Sequence, residues 1–424
     1  MRILVATDHY PPYIGGAQIQ TQVLARGLAE RGHEVVVATV WQNDMPPVQH
    51  EDGIPVYGFR QLRTLPRVAR KRRQHHQPPF PDPVTALGLR RLVKRFKPDV
   101  VHSYGWISYS MAAALIGTDV PLVVTARDYA YSCANRTLMR DGELCSGPAL
   151  LKCTACAGRH YGRPKGWIAA LGVLGSRPLL RSKTSAIHSI STYVQSIIRR
   201  DFLDDRSWSS DLSKYVIHDV IGNAPQPDAD DDPHARALDR LPDGPFILFV
   251  GALRVVKGIE TLGAAYQRLT DPPPLVLIGT VEPDTPAAFP EGVIVVTDVP
   301  HNAVMVAWDR CLFGVLPSVW AEPFGTVVCE AMSRGKPVIG TAPGGHTDMI
   351  VHGESGFLIA PGDVDALADA MQSLISDDEL RERMGRSARA RADLFRPEVS
   401  LPKIEHLYEE ATALRALLRS SSSS

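Results

Sequence analysis

Residues 317–332 read PSVWAEPFGTVVCEAM, which combines the end of an apolar strand, a short loop and the start of a helix. The helix is predicted from Thr326 to Arg334, because Gly335 follows as a typical helix stop. The first N–H groups of a helix have no partner within the helix, and the helix dipole is positive there. The segment therefore predicts a diphosphate-binding site. Its backbone donors are expected to come from Gly325, Thr326 and Val327.

Two carboxylates flank this helix start. Glu322 precedes the helix, and Glu330 falls about one turn inside it. Carboxylates near an anionic diphosphate are costly unless they bind hydrogen-bond donors, so the hydroxyls of a sugar and a ribose match them best. Phe324 lies in the same loop and joins the residues expected to line the site. A capped helix with two solvated carboxylates is the alternative interpretation.

Strands and helices alternate on both sides of this segment. In the first half, an apolar strand at residues 2–7 leads into a loop that contains Gly15 and Gly16. A helical pattern follows and ends at Gly32, which completes a strand–helix–strand unit. The other strands of this half are predicted at 33–39, 99–102, 122–125 and 185–187. The strands of the second half are predicted at 246–250, 275–278, 292–296, 314–317, 337–339 and 356–359.

Both halves therefore predict doubly wound α/β domains, with ligands at the carboxyl ends of the strands and in a cleft between the domains. The domains are expected at residues 1–223 and 244–398, joined by a Pro- and Asp-rich linker at 224–243. Residues 399–424 form a C-terminal helix and tail. The helix, at 402–418, is expected to pack back on the first domain.

The length and composition agree with this division. A chain of 424 residues fits two domains, and 44% hydrophobic with 22% charged residues is ordinary for a globular protein. No apolar run reaches the ~18–20 residues that span a bilayer, and the opening MRILVAT lacks the features of a signal peptide. A cytoplasmic location is the default expectation.

The segment from Glu322 to Glu330 resembles the Glu-x7-Glu motif of retaining GT-B glycosyltransferases of family 4. The resemblance spans nearly the whole chain and is weakest over residues 45–95. It implies a GT-B fold and a hexosyltransferase that takes its sugar from a nucleotide sugar. The further matching motifs are Tyr10-Pro-Pro-x-x-Gly-Gly16, Lys257-Gly258, Gly335-Lys-Pro-Val338, Pro343-Gly-Gly-His346 and Gly353-Glu-Ser-Gly-Phe-Leu358.

The resemblance implies roles for the matching residues. Glu330 would hold the ribose, and Glu322 would be a catalytic residue that contacts the donor sugar. Lys257 and Arg254 would stabilise the charge of the leaving diphosphate, more in the transition state than in the ground state. The family usually places an Arg directly after the preceding glycine, where this chain has Ala252, so Arg254 is a displaced candidate.

The first half carries further candidates. The glycines at 15 and 16 would let the backbone approach the donor phosphates. His9 follows the first strand beside Asp8 and is a candidate for substrate contact. Arg127 stands where the family commonly has a His that contacts the donor sugar, and it would bind an anionic group instead. Asp128, which the family also has, would orient Arg127 or cap a helix.

Four of the six cysteines cluster with the spacing C-x11-C-x7-C-x2-C, at Cys133, Cys145, Cys153 and Cys156. Cytosolic disulfides are uncommon, and a terminal C-x2-C is typical of a zinc-binding turn. The pattern predicts a structural zinc site in an insert at 133–156, with unlinked thiols or a redox pair as alternatives. Cys311 and Cys329 fit core positions.

Charge is distributed unevenly along the chain. Residues 1–222 carry 29 Lys and Arg against 17 Asp and Glu, a net +12, and residues 223–424 carry the reverse, a net −12. The basic residues of 60–97 predict peripheral contact with an anionic membrane surface or an anionic acceptor, and a solvated loop is the alternative. Nucleic acid is disfavoured, because aromatic residues do not interleave with these charges.

The sequence thus predicts a retaining glycosyltransferase that moves a hexose or N-acetylhexosamine from a UDP- or GDP-sugar. The acceptor would be a glycan such as a growing polysaccharide, a glycolipid or a small molecule, and no cofactor is expected in catalysis. Two alternatives stay open. A nucleotide-sugar epimerase shares the fold, and Arg127 with Ala252 makes a nucleotide-sugar-binding pseudoenzyme conceivable.

Overall fold

The computed structural model describes residues 1–10, 16–42, 45–62, 76–203, 216–218 and 238–422. The chain forms two compact units, Met1–Val220 together with Pro397–Ser424, and Ile221–Arg396. Each unit is built on a largely parallel sheet, which confirms the predicted doubly wound α/β class. The predicted linker lies outside the described residues up to position 237.

The first unit is organised around its central strand. The strands of this unit are β1 (Arg2–Thr7), β2 (Glu34–Val40), β3 (Val48–Glu51), β4 (Ile54–Phe59), β5 (Val100–Tyr104), β6 (Leu122–Ala126), β7 (Met139–Arg140), β8 (Glu143–Leu144) and β9 (Thr184–Ser189). Seven of these form one sheet in the order β3-β4-β2-β1-β5-β6-β9, in which β3 and β4 are antiparallel. β1 lies at the centre and is buried from its second residue on, as a continuous apolar strand of a parallel sheet should be.

The helices of the first unit connect these strands, and one of them carries the last two clustered cysteines. They are α1 (Gly16–Glu30), α2 (Pro83–Phe96), α3 (Ile107–Ala114), α4 (Leu150–Tyr161), α5 (Arg163–Lys183) and α6 (Thr192–Asp201). α2 begins where the Asp82 side chain accepts a hydrogen bond from the N–H of Thr85. β7 and β8 form a separate hairpin that precedes α4.

The second unit has a single parallel sheet. Its strands are β10 (Ile247–Val250), β11 (Leu275–Ile278), β12 (Val293–Val296), β13 (Gly314–Val315), β14 (Val338–Thr341) and β15 (Gly356–Ile359). Its helices are α7 (Ile259–Tyr266), α8 (His301–Arg310), α9 (Thr326–Ser333), α10 (His346–Met349), α11 (Val364–Ser376) and α12 (Asp378–Ala392). The order β12-β11-β10-β13-β14-β15 changes direction between β10 and β13, so a ligand is expected outside the carboxyl ends of these two strands.

The last helix, α13 (Pro397–Ser422), belongs to the first unit. It begins at Pro397 rather than at the predicted residue 402. Glu405 on α13 pairs with Arg31 at 2.7 Å and with His33 at 2.8 Å. The apolar side of α13 packs into the core of that unit through Leu401, Ile404, Leu407, Tyr408 and Ala411.

Candidate active site

The 317–332 segment meets the loop that follows β10. β10 and β13 are paired neighbours, so their carboxyl ends lie side by side. Gly258 closes the loop after β10 with φ 79°, and a Cβ atom there would stand only 1.9 Å from the carbonyl oxygen of Pro317. Only glycine permits this approach, which brings Lys257 against the 317–332 segment.

Glu322 collects the polar contacts of this segment. Its Oε2 accepts hydrogen bonds from Lys257 Nζ at 2.7 Å, from Trp320 Nε1 at 2.9 Å and from Ser318 Oγ at 3.2 Å. Burial favours the neutral acid, but the charge of Lys257 and these donors outweigh it and hold the pKa of Glu322 below its usual value. The site therefore presents an ionised carboxylate next to an ammonium group.

His346 lies against the same loop, although it was not among the site residues predicted from the sequence. Its Nδ1 accepts a hydrogen bond from the Thr341 N–H at 3.2 Å, which leaves Nε2 to carry the proton. Burial lowers the pKa of His346 to about 4, although Glu322 acts in the opposite direction, so the ring is neutral at pH 7. Its signal in the sequence is the motif Pro343-Gly-Gly-His346, which had been matched as a fold signature only.

α9 begins at Thr326, as the sequence predicted, and the anion site expected at its start stays a prediction. Gly325 has φ 91° and, as a glycine, provides no side chain to cap the helix. Gly325, Thr326 and Val327 are partly exposed. Phe324 is buried instead, with its ring centroid 5.7 Å from that of Phe395, so its side chain belongs to the core.

Glu330 has a partner that the sequence did not indicate. Its Oε1 accepts a hydrogen bond from His301 Nε2 at 3.0 Å. This bond raises the pKa of His301, since the imidazolium is the better donor to a carboxylate. His301 is the first residue of α8, and no motif marks it.

The two predicted cations lie in different surroundings. Lys257 contacts Glu322, whereas the Arg254 Nε donates to Asp284 Oδ1 at 3.0 Å. That hydrogen bond lowers the pKa of Asp284. Arg254 is 45% exposed at its side chain and Lys257 only 28%, so the structure brings Lys257, and not Arg254, to the buried carboxylate.

In the first unit, Asp8 and His9 follow β1 and differ in role. Asp8 accepts hydrogen bonds from the N–H groups of Trp106 at 3.0 Å and Ile107 at 2.7 Å, and so caps α3. His9 Nε2 lies 2.9 Å from His76 Nδ1, and burial lowers the pKa of His9 to about 4. Asp8 therefore supports the fold, whereas His9 stays a candidate for substrate contact.

Arg127 and Asp128 do not form the pair that the sequence analysis considered. The Arg127 guanidinium lies 4.5 Å from the ring centroid of Tyr104, and its Nη1 donates to Thr21 Oγ1 at 3.3 Å. Asp128 pairs with Arg136 Nη2 at 2.6 Å and accepts from the N–H of Ala130. Arg136 comes from the cysteine-rich insert and had not been predicted to reach this edge of the sheet.

The remaining candidates are only partly described. Gly15 lies outside the described residues, and Gly16 is the first residue of α1. Of the basic stretch, residues 63–75 also lie outside. Arg90 donates hydrogen bonds to the carbonyl oxygens of Ala114 and Ile116, so its guanidinium group binds other residues of the first unit. No helix in the described part of the chain is long and apolar enough to cross a membrane.

The four clustered cysteines line one cavity together with residues of the same insert. All four thiols are free and partly exposed, at Cys133, Cys145, Cys153 and Cys156. Across the described ranges, no three His, Cys, Asp or Glu side chains stand close enough together to hold one metal ion. Cys311 and Cys329 are buried, as predicted.

Comparison with protein families settles the class of this chain. The family described as "Glycosyl transferases group 1" matches residues 230–391, and the "Glycosyl transferase 4-like domain" matches residues 15–207. This chain carries one glycosyltransferase domain of each of these two families. The predicted family is thereby confirmed, and its two matches fall on the second and the first unit respectively.

Individual relatives agree with this assignment. The glycosyltransferase is 27% identical to glycogen synthase from Mycobacterium tuberculosis over 419 residues, which cover 92% of this chain and 90% of that protein. It is also 27% identical to D-inositol 3-phosphate glycosyltransferase from Xylanimonas cellulosilytica over 425 residues, which cover 95% and 93%. The solved structure of Anabaena HepE in complex with UDP-glucose matches with a TM-score of 0.66 at 16% identity, over 96% of this chain and 99% of that one. The fold is therefore GT-B, as predicted.

Proposed function

We propose that this glycosyltransferase transfers a hexose or an N-acetylhexosamine from a UDP- or GDP-sugar to an acceptor hydroxyl, with retention at the anomeric carbon. The observation that carries the proposal is the buried, ionised Glu322 beside Lys257, next to the start of α9. A carboxylate accepts hydrogen bonds from sugar hydroxyls, while an ammonium and a helix N-terminus bind phosphate. The complex of HepE with UDP-glucose supports this class of donor.

In the proposed donor complex, the diphosphate lies against the N–H groups of Gly325, Thr326 and Val327. Lys257 shares its ammonium between the phosphate and Glu322, and Glu322 uses its other lone pairs for hydroxyls of the sugar. Glu330, held by His301, accepts hydrogen bonds from the two ribose hydroxyls. Each ionised group then has a partner, which the low polarity of a buried site requires.

The proposed chemical step is a front-face substitution. The bond between the anomeric carbon and the diphosphate oxygen breaks, and the acceptor oxygen bonds to the same face of that carbon. The acceptor proton passes to the departing phosphate oxygen, so no dedicated protein base is required. Lys257 and the start of α9 stabilise the charge that grows on the leaving phosphate, which lowers the barrier more than it strengthens donor binding.

The acceptor is proposed to be a glycan, a glycolipid or a small molecule that carries an anionic group. The net +12 charge of residues 1–222 supports this, and Arg127 with His9 lies at the carboxyl edge of the first unit's sheet. The relative that is named for D-inositol 3-phosphate supports a phosphate-bearing acceptor. Asp128 keeps Arg136 in place at the same edge.

We also propose that basic residues within 60–97 bring the protein to an anionic membrane surface. Arg91 and Lys94 are exposed on one side of α2, and Leu87, one turn before Arg91, is 57% exposed. Sedimentation with anionic lipid vesicles should be lost in the Arg91→Glu/Lys94→Glu variant. Equal binding of both proteins would contradict the proposal.

A donor screen tests the main proposal. A nucleotide sugar that binds the folded protein must raise its melting temperature, and UDP- and GDP-sugars are expected to do so. The hit is then incubated with and without acceptor sugars, and the products are identified by anomer-resolved NMR. An epimerised donor formed without acceptor would indicate an epimerase, and binding without turnover would indicate a pseudoenzyme. If no nucleotide sugar bound at all, the site assignment would be wrong.

A further inference from the structure

The helix α5 exposes an apolar stripe to solvent. Trp167, Ile168 and Leu171 are 51%, 56% and 51% exposed, and their spacing places them on one face of the helix. The other exposed positions of α5 after Trp167 are Gly175, Pro178 and Ser182. From Trp167 to the end of α5, a range that the structure describes throughout, no exposed residue is charged. The outer face of a surface helix ordinarily carries charged side chains, so this stripe is an apolar surface that calls for a partner.

The opposite side of α5 is fixed to the first unit. Arg177 donates hydrogen bonds at 3.0–3.2 Å to the carbonyl oxygens of Tyr131, Ser132 and Asp201. A Cβ atom on Gly166 would overlap the carbonyl group of Ala157, so α5 also packs backbone against backbone on α4. Because α5 cannot turn over without breaking these contacts, the apolar stripe stays directed away from the core.

The pair of helices α4 and α5 is strongly basic. Residues 150–183 contain seven Lys and Arg and no Asp or Glu, a net +7. Arg163 and Lys165 are exposed in the first turn of α5, directly before the apolar stripe. Basic residues beside exposed Trp, Ile and Leu are typical of helices that lie in the interface of an anionic bilayer, where the indole ring prefers the headgroup level.

α5 also belongs to the same layer as the basic helix α2. α3 packs against both α2 and α5, and the strands that these helices connect are neighbours in the order β1-β5-β6-β9. Seven of the eight residues of α3 are buried, so α2 and α5 present most of the exposed side chains of this layer. The exposed Arg91 and Lys94 of α2 and the apolar stripe of α5 thus lie on one side of the sheet.

We propose that α5 docks on an anionic phospholipid surface. Trp167, Ile168 and Leu171 would enter the headgroup region, and the basic residues of α4 and α5 would face the lipid phosphates. The inference goes beyond sugar transfer, and it adds an apolar element to the membrane contact proposed for residues 60–97 while standing on its own residues. A second copy of this chain does not suit the stripe, because two surfaces of net +7 repel each other.

Vesicle binding by the full-length protein tests the inference. The wild type should sediment with phosphatidylglycerol-containing vesicles and not with pure phosphatidylcholine vesicles. Lipids brominated near the headgroup should quench the tryptophan fluorescence of the wild type more than that of Trp167→Phe. The variant Ile168→Gln/Leu171→Gln should bind about tenfold more weakly. The matched control Val281→Gln/Leu394→Gln, which changes similarly exposed residues of the second unit, should bind as the wild type does.

Equal quenching of the wild type and Trp167→Phe, or equal sedimentation of the wild type and Ile168→Gln/Leu171→Gln, would overturn the inference. A wild-type dimer that this Gln variant does not form would also overturn it and assign the stripe to contact between copies. If Arg91→Glu/Lys94→Glu lost binding while bromolipid did not quench Trp167, the membrane contact would belong to α2 alone. Quenching of Trp167 in an Arg91→Glu/Lys94→Glu variant that still sediments would support α5 and contradict only the proposal for residues 60–97.

Discussion

The 317–332 segment of the second unit and the carboxyl edge of the first unit's sheet both hold charged side chains, but they neutralise them differently. In the second unit, Lys257 and Glu322 pair at 2.7 Å with further donors on the carboxylate, and the pair lies beside an uncapped helix start. At the edge of the first unit, Arg136 pairs with Asp128 and lies near Asp8, which already accepts two backbone hydrogen bonds.

The two regions differ in whether their charged groups can still bind a ligand. At the 317–332 segment, a diphosphate and a polyol can replace or extend existing contacts without leaving a buried charge unpaired. At the edge of the first unit, the carboxylates are already committed to Arg136 and to the start of α3. The donor side is therefore expected to depend steeply on single residues, and the first unit to depend on the cysteine-rich insert that supplies Arg136.

The largest effect is expected for Glu322→Gln. The amide keeps the shape of the side chain but removes the charge that Lys257 and the sugar hydroxyls require, so sugar transfer should fall about 1,000-fold. Initial rates at saturating donor measure this loss. The exposed Glu379→Gln on α12 serves as the matched control and should keep the wild-type rate. If the transfer rate of Glu322→Gln were within tenfold of the wild-type rate, Glu322 would not be a catalytic residue.

Lys257→Ala should reduce transfer by about 100-fold and lower the free energy of unfolding by about 1–2 kcal/mol, because it leaves Glu322 buried without its cation. The double variant Lys257→Ala/Glu322→Gln should recover part of that stability, which chemical denaturation can measure. Arg254→Ala, whose pair with Asp284 is largely exposed, should change the rate by roughly threefold or less. Equal losses for Lys257→Ala and Arg254→Ala would contradict the distinction between them.

The buried His346 predicts a loss of stability in acid. Below its ordinary pKa of about 6.5, the unfolded chain takes up a proton that the folded chain, with the pKa of His346 at about 4, does not. The free energy of unfolding should therefore fall by on the order of 2 kcal/mol between pH 7 and pH 5. Thermal unfolding at the two pH values measures this, and His346→Asn should reduce the pH dependence.

His301 provides a contrast of opposite sign. Glu330 raises the pKa of His301, so the stability from this pair is fully present below pH 6.5 and is lost as the pH rises through the raised pKa. The variant His301→Gln should lose this alkaline decline. If the wild type and His301→Gln lost the same stability as the pH rose from 5 to 8, the pair of His301 with Glu330 would not be present as described.

The smallest effect is expected for Arg136→Ala, at about 1 kcal/mol of unfolding free energy, because Asp128 and Arg136 are partly exposed and solvent screens their attraction. Hydrolysis of the donor in the absence of acceptor should be unchanged, since the donor residues belong to the other unit. Arg140→Ala, from an exposed pair on the same loop, is the matched control. A large loss of donor hydrolysis in Arg136→Ala would contradict this separation.

The parts of the fold that follow from local patterns were predictable. The buried strands of both sheets were found, since uninterrupted apolar runs between glycine and proline loops are typical of parallel strands. The β3–β4 pair was missed, because VQHE has only one strongly apolar residue and pairs at the edge of the sheet. The helices α4 and α5 were also missed, since few of their side chains are buried and their pattern is weak.

The residues of the candidate site could also be predicted only where they belong to a local pattern. Glu322, Glu330 and the start of α9 form a recognisable motif, because the strand–loop–helix order of neighbouring residues largely sets their geometry, whereas Lys257 belongs to a separate motif with Gly258. Phe324 shows the limit of this approach, since an aromatic residue in a binding loop and one buried against Phe395 look the same in the sequence. His301 could not have been found, because α8 and α9 are separated by a strand and meet only in the folded unit.

The sequence by itself determined the two α/β halves, the glycosyltransferase family and the helix start at Gly325, because each depends on patterns of residues that are close along the chain. The tertiary structure decided which charges meet: Lys257 with Glu322 rather than Arg254, Arg136 with Asp128 rather than Arg127, and Asp8 with the start of α3. Such pairs join residues that are far apart in sequence, and the choice between competing partners depends on distances and burial that only the packed chain sets.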